Sequence, residues 1–263
     1  MNGVSRQSEL EALLSGFHLP SFTKHYQQYA REAEKQRIDH VGYLYQLAQV
    51  ESEERYNRRT ERLLKQSKLP KSKMLEDFDF SRFPDLSEST IRSIADGGSL
   101  DKAENVLIFG NPGTGKTHLA AALAREWCLK GRKVFFTTAS ALVQDLLSSK
   151  RDLKLNALLK RLENFEALVI DDISYIPQSR EETDVLFVLL AERYERRSLV
   201  ITSNLPFSKW ESIFKDTMTT MAAIDRLIHH STVLELNGES FRIQAAKKRK
   251  KKDTAAINDT LPI

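Results

Sequence analysis

Gly110-Asn111-Pro112-Gly113-Thr114-Gly115-Lys116-Thr117 matches the pattern G-x-x-x-x-G-K-[ST] at every position. These residue types at this spacing grip a polyphosphate. Gly110, Gly113 and Gly115 let the backbone turn tightly, so that successive N–H groups converge on phosphate oxygens. Asn111, Pro112 and Thr114 complete the loop. Lys116 sets a positive charge between the outer phosphates, and the Thr117 hydroxyl is a ligand for Mg²⁺. The loop follows the apolar run Val106–Phe109 and opens a helical stretch from Lys116 to Leu129. A helix N-terminus there adds a favourable dipole. The expected ligand is ATP with Mg²⁺; the bland alternative is a glycine-rich turn that binds nothing.

Ala167-Leu168-Val169-Ile170-Asp171-Asp172 is an apolar strand ending in two carboxylates. Packing explains such a pair poorly, because adjacent carboxylates repel. Beside Mg²⁺ the pair makes sense. Asp171 is expected to bind the metal through water, and Asp172 to orient or deprotonate an attacking water. A helix N-cap with a flanking charge is the alternative. Leu199-Val200-Ile201-Thr202-Ser203-Asn204 is a second apolar strand with a polar end. Ligands sit at the carboxyl ends of parallel strands, which makes Asn204 a candidate partner of that water or of the γ-phosphate. Its alternative is an ordinary turn before Pro206.

These groups need a scaffold. Val106–Phe109, Val134–Thr137, Leu168–Ile170 and Leu199–Thr202 are short, apolar and β-rich, with helical patterns between them. Val233–Leu236 reads as a fifth strand. The alternation predicts an α/β domain, a parallel five-stranded sheet between helices. Residues 1–70 read as a small all-α domain. Leu10, Leu13, Leu14 and Phe17 share a helical stripe, as do Phe22, Tyr26, Tyr29 and Ala33. Asp39 is a plausible N-cap for a third helix, which turns highly charged from Glu51 to Arg62 and is expected to face solvent or a partner. Leu69-Pro70-Lys71-Ser72-Lys73 breaks the pattern, so a boundary is placed there. Residues 71–246 form the α/β domain, entered through the aromatic segment Phe78–Pro84. Residues 247–263 are expected to be a basic, disordered tail.

Of 263 residues, 41% are hydrophobic and 29% charged. No stretch approaches the ~18–20 apolar residues of a membrane span, and no apolar signal-peptide core follows Met1. The lone Cys128 excludes an internal disulfide and fits a reduced, cytoplasmic compartment, with the thiol packed as a small hydrophobe. Net charge is +4, but Lys247–Lys252 carries six positive charges, which leaves −2 on the remainder. A nucleic-acid site in the folded part must therefore be a local patch.

Taken in order, the P-loop, the Asp-Asp strand and Asn204 resemble the Walker A, Walker B and sensor motifs of AAA+ ATPases. Gly113–Ala120 is similar to helicase loaders of the DnaC type, and closer to the IstB family of insertion-sequence transposition helpers. Ile170–Ile176, Ile201–Phe207 with Trp210, and Ile224-Asp225-Arg226-Leu227-Ile228-His229-His230 carry that resemblance. It implies ATP held between subunits of a homo-oligomer, with Arg226 reaching the neighbour's site. A salt bridge to Asp225 is the alternative for Arg226. Only 20 residues separate Arg226 from Lys247, so a C-terminal lid domain is not expected, and Arg242 is a poor candidate for a lid arginine. His229-His230 is expected to pack rather than to bind metal.

The resemblance further implies duplex DNA and a transposase as partners, with ATP hydrolysis resetting the assembly. Lys150, Arg151, Lys154, Lys160 and Arg161, on an inserted helical pair between Ala139 and Asn164, are the first candidates for phosphate contacts. Arg193, Arg196 and Arg197 form a second candidate patch, and Lys247–Lys252 should add salt-sensitive affinity. Two readings stay open beside the transposition helper. One is a DnaC-type loader acting on single-stranded DNA. The other is a nucleotide-gated clamp with negligible turnover, suggested by Asp172 where a longer Glu would reach further.

Overall fold

The structure is a computed structural model that describes residues 5–175, 179–206, 209–210, 227–238 and 240–241. Arg226, Arg242 and the 247–263 tail lie outside the described residues. The chain divides into two compact units, Met1–Arg62 and Leu63–Ile263.

The first unit holds α1 (Arg6–Gly16), α2 (Pro20–Gln36) and most of α3 (His40–Ser67), so the boundary between the units falls inside a helix. Pro20 opens α2, where its missing N–H costs nothing. The Asp39 carboxylate accepts a hydrogen bond from the Gly42 N–H at 2.8 Å, as an N-cap does. Glu51 departs from the expectation of a solvated face. It is 4% exposed, and it accepts from the Ser21 N–H at 2.9 Å, capping α2. Burial alone would raise its pKa, but hydrogen bonds from Arg55 and Ser21 hold it below the usual carboxylate range. A buried carboxylate satisfied in this way is structural.

The second unit is built on five parallel strands: β1 (Asn105–Gly110), β2 (Val134–Thr138), β3 (Ala167–Asp171), β4 (Ser198–Ser203) and β5 (Ser231–Leu236). Their order is β2-β3-β4-β1-β5. The strand alternation serves two cores at once. Val106 and Ile108 pack on one side of the sheet with α4 (Glu88–Ala95) and α6 (Lys116–Leu129), beside the short α5 (Gly98–Asp101). Leu107 and Phe109 pack on the other side with α7 (Ala139–Arg151), α8 (Leu155–Glu163) and α9 (Arg180–Arg193). A strand buried on both faces reads as a continuous apolar run, which is why the sheet was legible. Leu119 to Ala124 of α6 are buried, and their four alanines let the helix lie close against the strands. Cys128 is buried on the same helix, and burial pushes its thiol up to about 11, so it stays protonated. Among the described residues no helix is long and apolar enough to cross a membrane.

Candidate nucleotide site

Parallel pairing places the carboxyl ends of β1, β3 and β4 side by side. Each strand delivers polar groups there. From β1 the chain enters the loop 110–117. Gly110 pairs with Leu236, and a Cβ on it would stand 2.5 Å from the Leu236 carbonyl oxygen. Gly115 has φ +104°, a conformation that L side chains rarely adopt, and it directly precedes α6. Both glycines are thus required by geometry.

Lys116 is only 6% exposed. Its ammonium donates to the carbonyls of Gly110 at 2.8 Å and Asn111 at 2.9 Å, and also to Asn204 Oδ1. Asn204 Nδ2 donates in turn to Asp172 Oδ1 at 3.0 Å. One amide therefore bridges the P-loop cation and the second carboxylate. The Asn204 backbone N–H donates to Ser174 Oγ at 2.9 Å, which anchors the bridge to the turn after β3.

Asp171 is held at both oxygens. Thr117 Oγ1 donates to Oδ2 at 3.0 Å, and Thr202 Oγ1 donates to Oδ1 at 2.7 Å. A hydroxyl and a carboxylate meeting at a helix N-terminus are hard oxygen donors of the kind Mg²⁺ takes. Asp172 sits at φ +65°, a left-handed conformation that Asp tolerates better than most residues. Its N–H donates to Thr202 Oγ1 at 2.8 Å. The reversed backbone gives the two carboxylates separate partners, Thr117 and Thr202 for Asp171, Asn204 for Asp172.

Thr202 was not among the candidates from sequence. Nothing local separates it from any polar residue near a strand end. The residue is 1% exposed, and its hydroxyl holds the Asp171 carboxylate and the Asp172 backbone N–H together. Thr202→Val keeps the shape but leaves Asp171 Oδ1 and the Asp172 N–H without this partner. The variant is expected to lose about 1–3 kcal/mol of stability and to need more Mg²⁺ for nucleotide binding. Thr202→Ser should restore both. Thermal melts and a Mg²⁺ titration of nucleotide affinity measure this, and a valine variant matching wild type would remove the role.

The loop borders a cleft of about 460 Å³, lined by Gly113, Gly115, Lys116, Thr117, Asp171 and Asp172 on one side. Phe78 and Asp79 of the aromatic entry segment, Lys73 and Asp77 ahead of it, and His118 and Phe241 complete the lining. The Phe241 N–H donates to the Gly113 carbonyl at 2.8 Å, and the Arg82 guanidinium lies 3.6 Å from the centre of its ring. Phe241 carries no local sign of this position.

The basic candidates separate. Lys150 and Arg151 end α7, Lys154 precedes α8, and all three are exposed. Lys154 and Arg161 share one groove with Ser148 and Ser149. Lys160 lines a different one, with Glu163 and Glu192. Arg193 is a correction to the second patch. It is 2% exposed and donates to the carbonyls of Leu162, Phe165 and Ser198 at 2.9, 3.0 and 3.0 Å. Burial, with Arg197 adding, lowers its pKa to about 9, so it remains charged at neutral pH and ties α8 to β4. Arg197 donates to the Glu163 carbonyl at 3.2 Å, and Arg196 pairs with Glu192 at 3.4 Å. His230 packs edge-to-face on His229 and pairs with Glu195 at 3.1 Å.

The family described as IstB-like ATP binding protein matches residues 12–250. An insertion-sequence ATP-binding protein of Sinorhizobium fredii is 40% identical over 246 residues, 93% of this chain and 83% of that protein. The ATP-binding protein of insertion sequence IS21 from Pseudomonas aeruginosa is 36% identical over 97% of this chain and 95% of its own. Among solved structures, AMPPCP-bound DnaA from Aquifex aeolicus covers 70% of this chain and 56% of its own at a TM-score of 0.55 and 19% identity. DnaI covers 62% and 90% at 0.52 and 22%. The two structures share the fold.

Proposed function

Because the chain belongs to the IstB-like ATP-binding proteins of insertion sequences, we propose that it is an ATPase that helps transposition by assembling on duplex DNA. Subunits loaded with ATP and Mg²⁺ oligomerise on the duplex, select or remodel a target, and recruit or activate the transposase. Hydrolysis then resets the assembly. The observation that carries this reading is the bridge Lys116–Asn204–Asp172 beside the clasped Asp171. It joins the phosphate-binding cation to the water-activating acid through one side chain.

The chemistry follows from these groups. The loop N–H groups of residues 113–117 receive phosphate oxygens, and Lys116 exchanges its carbonyl partners for the outer phosphates. Thr117 and Asp171 would hold Mg²⁺, which would supply charge neutralisation for the phosphates. Asp172 accepts a proton from water as the water oxygen bonds to the γ-phosphorus. The bond to the β–γ bridging oxygen breaks, leaving ADP and phosphate. Asn204, freed from Lys116, keeps Asp172 and the water aligned. Arg226, outside the described residues, is assigned by family resemblance to the neighbouring subunit's site. Lys150, Arg151, Lys154, Lys160 and Arg161 are assigned to DNA phosphates, and the N-terminal helices to assembly or transposase contact.

Binding to fluorescent duplex and single strands, each with and without ATP, tests the proposal. ATP-dependent, cooperative binding that prefers the duplex is expected. A clear preference for single strands would favour the helicase-loader reading instead.

A further inference from the structure

Leu153 is 95% exposed and stands in the turn between α7 and α8 with φ +58°. The turn is a helix C-cap of the Schellman type. The Leu153 N–H donates to the Lys150 carbonyl at 3.1 Å, and the Lys154 N–H to the Ser149 carbonyl at 2.7 Å. Glycine is the favoured residue at the left-handed position of this motif, because any Cβ there is strained. Full exposure leaves the side chain no burial to offset that strain. Leucine here departs from the local preference, and such departures mark functional or strained sites.

What surrounds Leu153 indicates what it meets. Lys150, Arg151 and Lys154 flank it, with Asp152 as the sole acid within the segment 150–154. The turn is fixed by its hydrogen bonds and by the helices on either side. Leu142, Val143, Leu146 and Leu147 anchor α7 in the core, and Leu158 and Leu162 anchor α8. The result is a hairpin anchored in the core, with one exposed apolar residue at its tip between Lys150, Arg151 and Lys154. A protein partner is usually met by a cluster of apolar anchors, whereas the neighbours of Leu153 in sequence are charged. A duplex fits better, since phosphates meet the cations and the base stack meets the side chain. Proteins that kink DNA use this combination of basic residues and an inserted apolar wedge.

We propose that Leu153 is an apolar wedge which the α7–α8 hairpin inserts at a base step of duplex DNA, so that each bound subunit kinks the duplex. This rests on the reading that the hairpin faces DNA, and the experiment separates the two. The full chain with ATP is bound to a duplex carrying donor and acceptor dyes at its ends. Energy transfer reports the bend, and anisotropy at several salt concentrations reports affinity. Leu153→Gly is expected to melt at a higher temperature than wild type and to keep the salt dependence. Its energy transfer should fall to the value of the free duplex, and Leu153→Phe should restore the bend. Lys150→Ala/Arg151→Ala should weaken binding and reduce the slope of log affinity against log salt by about 2.

If the double variant keeps the wild-type slope, the hairpin does not face DNA and both the reading and the wedge fall. If the slope changes but Leu153→Gly bends DNA as wild type does, the wedge alone is overturned. A straight duplex on the wild-type chain, or loss of self-assembly without DNA in Leu153→Gly, also overturns it; the second result would make the tip a subunit contact.

Discussion

Lys116→Ala is expected to lower ATP affinity by about 10²–10⁴-fold and to remove measurable turnover. Hydrogen bonds to charged groups contribute about 1.5–3 kcal/mol each, and Lys116 would place two or more on the outer phosphates. At 1.4 kcal/mol per tenfold, two such bonds give that range. Lys116 is already only 6% exposed and its ammonium is held by carbonyls, so much of its desolvation is complete before ATP arrives. An unfolding melt should show an intact domain, because the loop retains its other bonds, such as Thr114 Oγ1 to the Asn111 carbonyl at 2.9 Å. Equilibrium dialysis with labelled ATP measures the loss. An affinity equal to wild type would remove the P-loop from the proposed function.

Asp172→Asn separates binding from chemistry. The amide can still meet Asn204, but it cannot take a proton from water. General-base catalysis contributes about 10²–10⁴-fold, so phosphate release should drop by that factor while ATP binding and assembly on DNA persist. Complexes of this variant should outlive those of wild type once free ATP is removed. Stopped assays of phosphate release, paired with dissociation from a labelled duplex, read both effects. Turnover within twofold of wild type would exclude Asp172 as the base, whereas negligible turnover by the wild-type chain itself would favour the clamp reading.

Several features were legible before any coordinates. The P-loop, the Asp171-Asp172 strand end and the apolar strands are local patterns, because covalent spacing along a strand, turn or helix imposes them. Leu69-Pro70 is a strong local break in the sequence, and the compact units divide at Arg62 and Leu63. Leu63 packs in the core of the second unit, and a helix continues through the division because its own hydrogen bonds are local. Glu51 and Arg193 were misread for a shared reason. A charge in a polar run looks solvated until its partners are known, and these partners lie about 30 residues away in sequence.

By itself the sequence determined that this chain grips a nucleotide, and with which loop. Glycine, lysine and threonine at this spacing build a phosphate cradle when they stand at a strand–helix junction. Only the tertiary structure decided how the site is held. Lys116, Asn204 and Asp172 meet because β1, β3 and β4 are neighbours in the sheet, and Thr202 reaches both acids because β4 lies beside β3. Strand order and register arise from burial of both sheet faces summed over the whole domain, and no window of residues contains that sum.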